Sequence, residues 1–153
     1  MSESAQQKEI KVIIFELQDK EYAIEVEAVQ SIERVISITR VPKTPSYVKG
    51  VINLRGVVTP IVDLGERFGL KPVEMSNNTR IIIVSLADYE VGLIVDAAND
   101  VLDIPIDSIE LQPKVVGSVE SEFISGLAKI DKRLFVMLDL SKVLEPLKGI
   151  EIE

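Results

Sequence analysis

One arginine in the chain stands where a charged side chain can engage a binding partner. Arg55 separates two apolar runs, residues 50–54 and 57–64, and lies near the tip of a predicted β-hairpin whose turn is flanked by Asn53 and Gly56. A guanidinium group can donate a planar, forked set of hydrogen bonds to a carboxylate or to loop carbonyls. The alternative interpretation is a side chain that only solvates the hairpin tip, and the residue alone leaves both open.

The side chains that most often carry catalysis or bind metals are missing from the sequence. The chain has no histidine and no cysteine, which removes the commonest general base and the thiolate ligands. Asp63 and Asp139 each follow an apolar strand, and we expect their carboxylates to cap the next segment, a metal or catalytic role being the alternative. No phosphate-binding loop or nucleophile motif is present. The sequence therefore predicts no catalytic residue, no metal and no cofactor.

The composition favours a cytoplasmic protein that neither enters membranes nor binds nucleic acid. Its 153 residues are 46% hydrophobic and 27% charged, and no apolar run approaches the roughly 20 residues of a membrane helix. A net charge of −8 and 5% aromatic residues oppose binding to polyanions or stacking on bases. Residues 1–9 are polar, unlike a signal peptide, and are expected to form a disordered leader, with residues 148–153 as a tail.

The chain repeats its own pattern. An offset of 69 positions aligns the strand, turn and strand beginning at Val12 with those beginning at Ile81. An offset of 76 aligns the hairpin of residues 50–64 with residues 126–140, and both copies end in Asp-Leu before a short segment of helical period. The second hairpin has Asp131 where the first has Arg55. The hairpin itself therefore does not require an arginine at this position.

The repeat predicts a mainly β fold built from two small barrels. Strand-rich units of about 65 residues need closed or covered edges, and closed barrels provide them. We expect a first barrel in residues 10–78 and a second in residues 79–147, separated by a polar, proline-containing linker. Each barrel alone buries little, so a further apolar layer should lie between the two. Duplicated units can also exchange strands, and the barrels would then not follow the repeats.

The first hairpin also carries a family signature. Residues 50–64 read G-V-I-N-L-R-G-V-V-T-P-I-V-D-L, which resembles the pattern G-V-x-N-L-R-G-x-x-x-P-x-x-D-L of CheW-like domains, the coupling proteins of bacterial chemotaxis. Every fixed position is matched without a gap, and the resemblance extends over roughly residues 10–147. It implies two tandem SH3-like five-stranded β-barrels packed together, with short helical segments. A chain of this length also suggests the free-standing coupling protein.

The resemblance implies a function and a set of partners. CheW-like proteins are non-enzymatic adaptors that couple chemoreceptors, the methyl-accepting chemotaxis proteins, to the chemotaxis histidine kinase CheA in receptor arrays. The groove between the barrels would take the hairpin tip of a receptor's cytoplasmic domain, and the barrel ends would meet the kinase's regulatory domain. Isolated, the chain is expected to be a monomer. The implied receptor-binding residues are Val29, Ser31, Ile32, Gly50, Arg55, Ala98 and Val101.

Several alternatives stay open at this point. Relatives often carry a glutamate at the position of Ser31, and the nearest acid here is Glu33. Small apolar residues such as Val29, Ala98 and Val101 equally fit a core role, and Gly50 fits a purely conformational one. The same sequence is compatible with an adaptor of a non-flagellar chemosensory pathway. An oligonucleotide-binding small barrel is disfavoured because basic stripes and aromatic platforms are lacking.

Overall fold

The computed structural model describes residues 8–86, 89–111 and 123–145. Within these ranges the chain is mainly β, as predicted, and no helix among them is long and apolar enough to cross a membrane. The elements are β1 (Glu9–Leu17), β2 (Lys20–Glu25), β3 (Val29–Arg34), β4 (Val48–Leu54), β5 (Val57–Asp63), α1 (Leu64–Arg67), β6 (Arg80–Leu86), β7 (Tyr89–Val95), β8 (Ala97–Pro105), β9 (Ile109–Leu111), β10 (Ile124–Ile130), β11 (Arg133–Leu138) and α2 (Leu140–Leu144).

The strands form two sheets, which we call barrel A and barrel B. Barrel A has the order β8-β1-β2-β11-β10-β9, and barrel B has the order β3-β6-β7-β5-β4. In barrel A the chain passes from β8 through a single 3₁₀ turn, Ile106–Ser108, directly into β9 at the opposite end of the strand order. Two terminal strands joined by so short a connection require the sheet to curl until its ends meet.

Barrel B closes in the same way with less regular pairing. The segment that follows β3 reaches β4 through an antiparallel bridge between Thr39 and Val51, with N–H···O distances of 2.9 and 2.8 Å. In barrel A the corresponding segment is regular enough to count as β9, which pairs with β10. We call β9, and the segment around Thr39 in barrel B, the closing segments. Barrel A therefore has six strands where five were predicted, because its closing segment is itself a short strand.

A glycine stands at each closure. A Cβ at Gly50 would lie 2.1 Å from the carbonyl oxygen of Thr39, and a Cβ at Gly126 would lie 2.7 Å from that of Glu110. Both glycines follow a shift in hairpin register, and Gly50 has a φ of 144°. Only a residue without a side chain lets the closing segment approach this near.

The two halves of the sequence exchange strands. The β1–β2 hairpin, from the first repeat, lies in barrel A beside β8 and β11, through antiparallel and parallel pairing respectively. The β6–β7 hairpin, from the second repeat, lies in barrel B beside β3 and β5. The expected boundary near residue 78 thus separates the sequence repeats but not the barrels, since each repeat contributes strands to both sheets.

Strand β1 is buried on both faces and joins the two barrels. Val12 and Ile14 belong to the cluster inside barrel A, whereas Ile13, Phe15 and Leu17 belong to a larger cluster that includes the core of barrel B. Because side chains alternate along a strand, one nine-residue strand supplies both layers. The predicted apolar layer shared between the barrels is confirmed.

An aromatic row and one arginine complete the contact between the barrels. Ring centroids lie 5.5 Å apart for Phe15 and Tyr22, 5.7 Å for Tyr22 and Phe68, and 5.2 Å for Phe68 and Phe123. The guanidinium of Arg67, at the end of α1, lies 4.3 Å from the centroid of Phe123, and its Nε donates to the carbonyl oxygen of Val143 in α2 at 2.9 Å. Arg67 therefore ties the helix of one barrel to the helix of the other, which the sequence did not indicate.

The predicted aspartate caps are confirmed, in two different environments. The Asp63 carboxylate accepts from the backbone N–H of Glu66 at 3.0 Å and from that of Val73 at 3.0 Å, and Asp63 is 2% exposed. The Asp139 carboxylate accepts from the backbone N–H and the hydroxyl of Ser141, at 3.1 and 2.6 Å, in a less buried position. Burial raises the pKa of Asp63 above its usual 3.8, although the two backbone hydrogen bonds act in the opposite direction.

The closure of barrel B can be tested by adding one methyl group. Gly50→Ala should lower the free energy of unfolding by at least about 3 kcal/mol, because the Cβ meets the Thr39 carbonyl and the φ is unfavourable. Gly56→Ala is the control, since its Cβ would meet nothing within 4 Å, and it should cost only the left-handed backbone penalty of about 1 kcal/mol. Urea denaturation measures both, and equal losses in the two variants would contradict the closure argument.

The buried carboxyl of Asp63 should leave a signature in the pH dependence of stability. Because its pKa is raised in the folded state, the folded protein binds the proton more readily than the unfolded chain does. Its stabilising contribution is therefore complete below the unfolded pKa of about 3.9 and is lost as the pH rises through the folded pKa. The stability of wild type relative to Asp63→Asn should thus decline from about pH 4 upward and then level off. A relative stability that increases with pH in urea titrations would show that the backbone hydrogen bonds to the carboxylate dominate instead.

Candidate protein-interaction site

Arg55 occupies a backbone conformation that arginine rarely adopts. The turn between β4 and β5 consists of Arg55 and Gly56, with φ values of 52° and 86°, as the tight turns of two-residue hairpins require. The side-chain oxygen of Asn53 accepts from the N–H of Gly56 at 2.9 Å and fixes the turn. Asp131 has a φ of 57° at the same place in the second hairpin, and aspartate tolerates this conformation better than arginine.

The guanidinium group of Arg55 is weakly engaged within the chain. Its side chain is 68% exposed, and its terminal nitrogen lies 3.7 Å from a carboxylate oxygen of Glu33, too far for a hydrogen bond. Arg133 in barrel A provides the contrast. It donates to Glu21 at 2.7 and 3.2 Å and to Asp100 at 3.2 Å. The hydrogen-bonding capacity of Arg133 is used internally, whereas that of Arg55 is available to a partner.

Exposed apolar side chains adjoin Arg55 and Glu33. Val57 and Val58 begin the strand after the turn and are 50% and 54% exposed, and Ile32 precedes Glu33 and is 41% exposed. The contact between Arg55 and Glu33 brings the hairpin tip next to β3, where Ile32 projects from the opposite face of the strand to Glu33. A cation and an acid flanked by apolar residues can anchor a protein segment through both burial and charge-assisted hydrogen bonds. Sequence reasoning missed Val57 and Val58, whose only signal was their position beside the turn.

The predicted residues of β3 differ in accessibility. Val29 is half-buried, packs against the large cluster and pairs with Val84 of β6. Ser31 has a buried hydroxyl oxygen that finds no hydrogen-bond partner in the described part of the chain. Ile32 alone among the three projects strongly into solvent. Strand β3 therefore offers one apolar contact point with polar groups close beside it.

The predicted residues of β8 lie on the other barrel. Ala98 is half-buried against the same large cluster and pairs with Phe15, whereas Val101 is 56% exposed and pairs with Ile13. Strand β8 contacts β6, which in turn pairs with β3. Val29 of β3 and Ala98 of β8 thus pack against the same large cluster, one from each barrel.

Gly50 has a different place from the other predicted residues. It is buried beneath the backbone of Thr39, which approaches it more closely than any side chain would allow. Its observed role is to close barrel B, and through that closure it holds the hairpin that carries Arg55. No cluster of three or more potential metal ligands occurs in residues 8–86, 89–111 and 123–145.

The fold and this surface define a double-barrel protein-interaction module, and the comparisons identify its family. Residues 11–148 match the family model described as CheW-like domain, and the chain belongs to that family. It is 45% identical to the chemotaxis protein CheW of Bacillus subtilis over 135 residues, covering 88% of this chain and 86% of the relative. It is 35% identical to the chemotaxis protein CheW of Thermotoga maritima, covering 90% and 89%.

A solved structure agrees with the sequence comparisons. The crystal structure of the scaffolding protein TtCheW from Thermoanaerobacter tengcongensis superposes with a TM-score of 0.84 at 36% identity, covering 90% of this chain and 94% of that one. The predicted family and the predicted fold of two β-barrels are confirmed.

The unusual backbone of Arg55 has a measurable cost. Arg55→Asn should raise the free energy of unfolding by about 0.5–1 kcal/mol, because asparagine accepts the left-handed conformation and only a weak, exposed ion pair is lost. Asp131→Asn serves as the control and should change stability little, since aspartate already suits its turn. Thermal or urea denaturation checks both variants. Destabilisation by Arg55→Asn would show that the Glu33 contact contributes more than its geometry suggests.

Proposed function

We propose that the protein is a non-enzymatic adaptor that couples chemoreceptors to the chemotaxis histidine kinase in cytoplasmic receptor arrays. The observation that carries the proposal is Arg55, an exposed cation at a left-handed turn position where the second hairpin has Asp131. A side chain that costs stability and makes only one weak, exposed ion pair within the chain is expected where binding needs it. The match to the CheW-like family supports this proposal, in which the partners are a receptor's cytoplasmic hairpin tip and the kinase's regulatory domain.

In this proposal the receptor lies in the groove between the barrels and contacts both sides of it. Arg55 binds a carboxylate or loop carbonyls of the receptor. Ile32 supplies a separate apolar contact from the exposed face of β3. Val29 and Ser31 form the wall on barrel B, and Ala98 and Val101 form the wall on barrel A. Gly50 acts indirectly, by holding the hairpin in place.

The adaptor acts through its surfaces and not through chemistry. It is proposed to work in the cytoplasm, recruited to membrane-associated receptor clusters by the receptors themselves, and to be a monomer when isolated. Control of the kinase would then follow from how two partners are positioned against one rigid body. The shared core between the barrels supports this, because an adaptor that transmits position must resist bending at its own midpoint.

The contribution of Arg55 can be measured against a receptor cytoplasmic hairpin. Arg55→Ala should weaken binding by on the order of 1.5–3 kcal/mol, since charge-assisted hydrogen bonds are lost from a surface that the partner desolvates. Arg55→Lys should restore little, because an ammonium group lacks the planar fork. Asp131→Ala, the matched change on the second hairpin, should leave affinity unaltered. Isothermal titration calorimetry of the four proteins, with thermal stability recorded alongside, provides the comparison.

A second titration, against the kinase's regulatory domain, separates the two partners. The Arg55 variants should retain wild-type affinity for this domain, because the proposal places kinase contacts at the barrel ends and not in the groove. Unchanged receptor affinity in a folded Arg55→Ala protein would remove the residue from the site. Failure of the wild-type chain to bind either partner would overturn the adaptor proposal itself.

A further inference from the structure

The loop between the closing segment and β4 forms a basic concavity in an acidic protein. Residues 40–49, which we call the basic loop, line a recess of about 390 Å³ with all their members except Tyr47. Three cations, Arg40, Lys43 and Lys49, contribute to its lining, together with Pro42 and Pro45. The chain as a whole carries a net charge of −8. A local concentration of positive charge on such a surface is therefore a distinct electrostatic feature.

Two of the three cations have no ion-pair partner in the part of the chain that the structure describes. Lys49 forms an ion pair with Glu66 of α1. In the described ranges, Arg40 and Lys43 have no acidic side chain within 4.0 Å. Both are exposed, and both line the recess.

The shape of the basic loop is fixed before anything binds. The Thr44 hydroxyl donates to the carbonyl of Val41 at 3.1 Å, and the N–H of Val48 donates to the carbonyl of Pro45 at 2.9 Å. Lys43 is held at a φ of 64° between the two prolines. A prearranged loop loses less conformational entropy on binding than a free one. Left-handed backbone at a residue other than glycine also occurs preferentially at functional sites.

We propose that the basic loop binds an acidic segment of a partner protein, with two or more carboxylates of that segment engaging Arg40 and Lys43. A protein segment fits better than a small free anion for two reasons. Neither unpaired cation is buried, so nothing isolates a lone ion from water. The prolines and valines of the recess offer apolar contacts to the chain between carboxylates. The inference goes beyond the adaptor proposal, because it uses none of the receptor-binding residues.

The test measures binding of a fluorescein-labelled hexaglutamate peptide to the whole chain by fluorescence anisotropy, at low and at physiological ionic strength. Arg40→Ala/Lys43→Ala should weaken binding about five- to tenfold. Lys129→Ala/Lys132→Ala is the matched control, because it removes the same charge from two exposed positions of the second hairpin. It should retain wild-type affinity. Circular dichroism and thermal denaturation establish that both variants are folded.

Four results would overturn the proposal. Equal losses in the two double variants would show that the peptide responds only to overall charge. Unchanged binding in Arg40→Ala/Lys43→Ala would place the peptide elsewhere on the surface. Displacement of the peptide by inorganic phosphate at matched ionic strength would indicate a small-anion site. A wild-type chain that does not bind the peptide at low ionic strength would exclude the site altogether.

Discussion

Both barrels depend on a backbone carbonyl lying against a glycine. At Gly50 and at Gly126 the closing segment comes so near that a single methyl group has no room. This contact converts a twisted sheet with two free edges into a barrel with none. It also determines where the preceding loop and the following hairpin emerge, and so it fixes the positions of the basic loop and of Arg55. The two surfaces assigned to binding therefore share one structural origin.

Strand β1 is buried on both faces and connects the cores of the two barrels. A strand in a single small barrel would bury one face and leave the other to solvent. Here Val12 and Ile14 fill barrel A while Ile13, Phe15 and Leu17 pack toward barrel B. Arg67, stacked on Phe123 and bonded to α2, adds a polar connection at the same boundary. The barrels thus share one core, and surfaces on the two barrels keep a fixed relation.

Much of this architecture could be predicted from the sequence. Period-two alternation and the internal repeat predicted strands and two barrels, and the aspartates at strand ends predicted their own capping bonds. The strands that pair with β1 and β2 could not be predicted. Alternation of apolar and polar residues shows that a strand is buried, but not which strand lies beside it. Gly50 was predicted to contact the receptor because it belongs to the family signature. Membership of a signature does not distinguish a residue that binds a partner from one that closes a barrel. The sequence did not indicate the role of Arg67 between the barrels, because its partners Phe123 and Val143 are far from it along the chain.

The exchange of hairpins has a consequence for synthesis on the ribosome. Barrel B is complete in sequence once β7 has been made, whereas barrel A needs β8, β10 and β11, which come last. During that interval the β1–β2 hairpin has no partner strands, and its face toward barrel A, with Val12 and Ile14, is uncovered. Long-range pairing such as that of β2 with β11 is slow to form, and unpaired strand edges are prone to aggregate. The nascent chain therefore passes through a stage in which its earliest hairpin needs protection, and that vulnerability ends only when the C-terminal strands emerge.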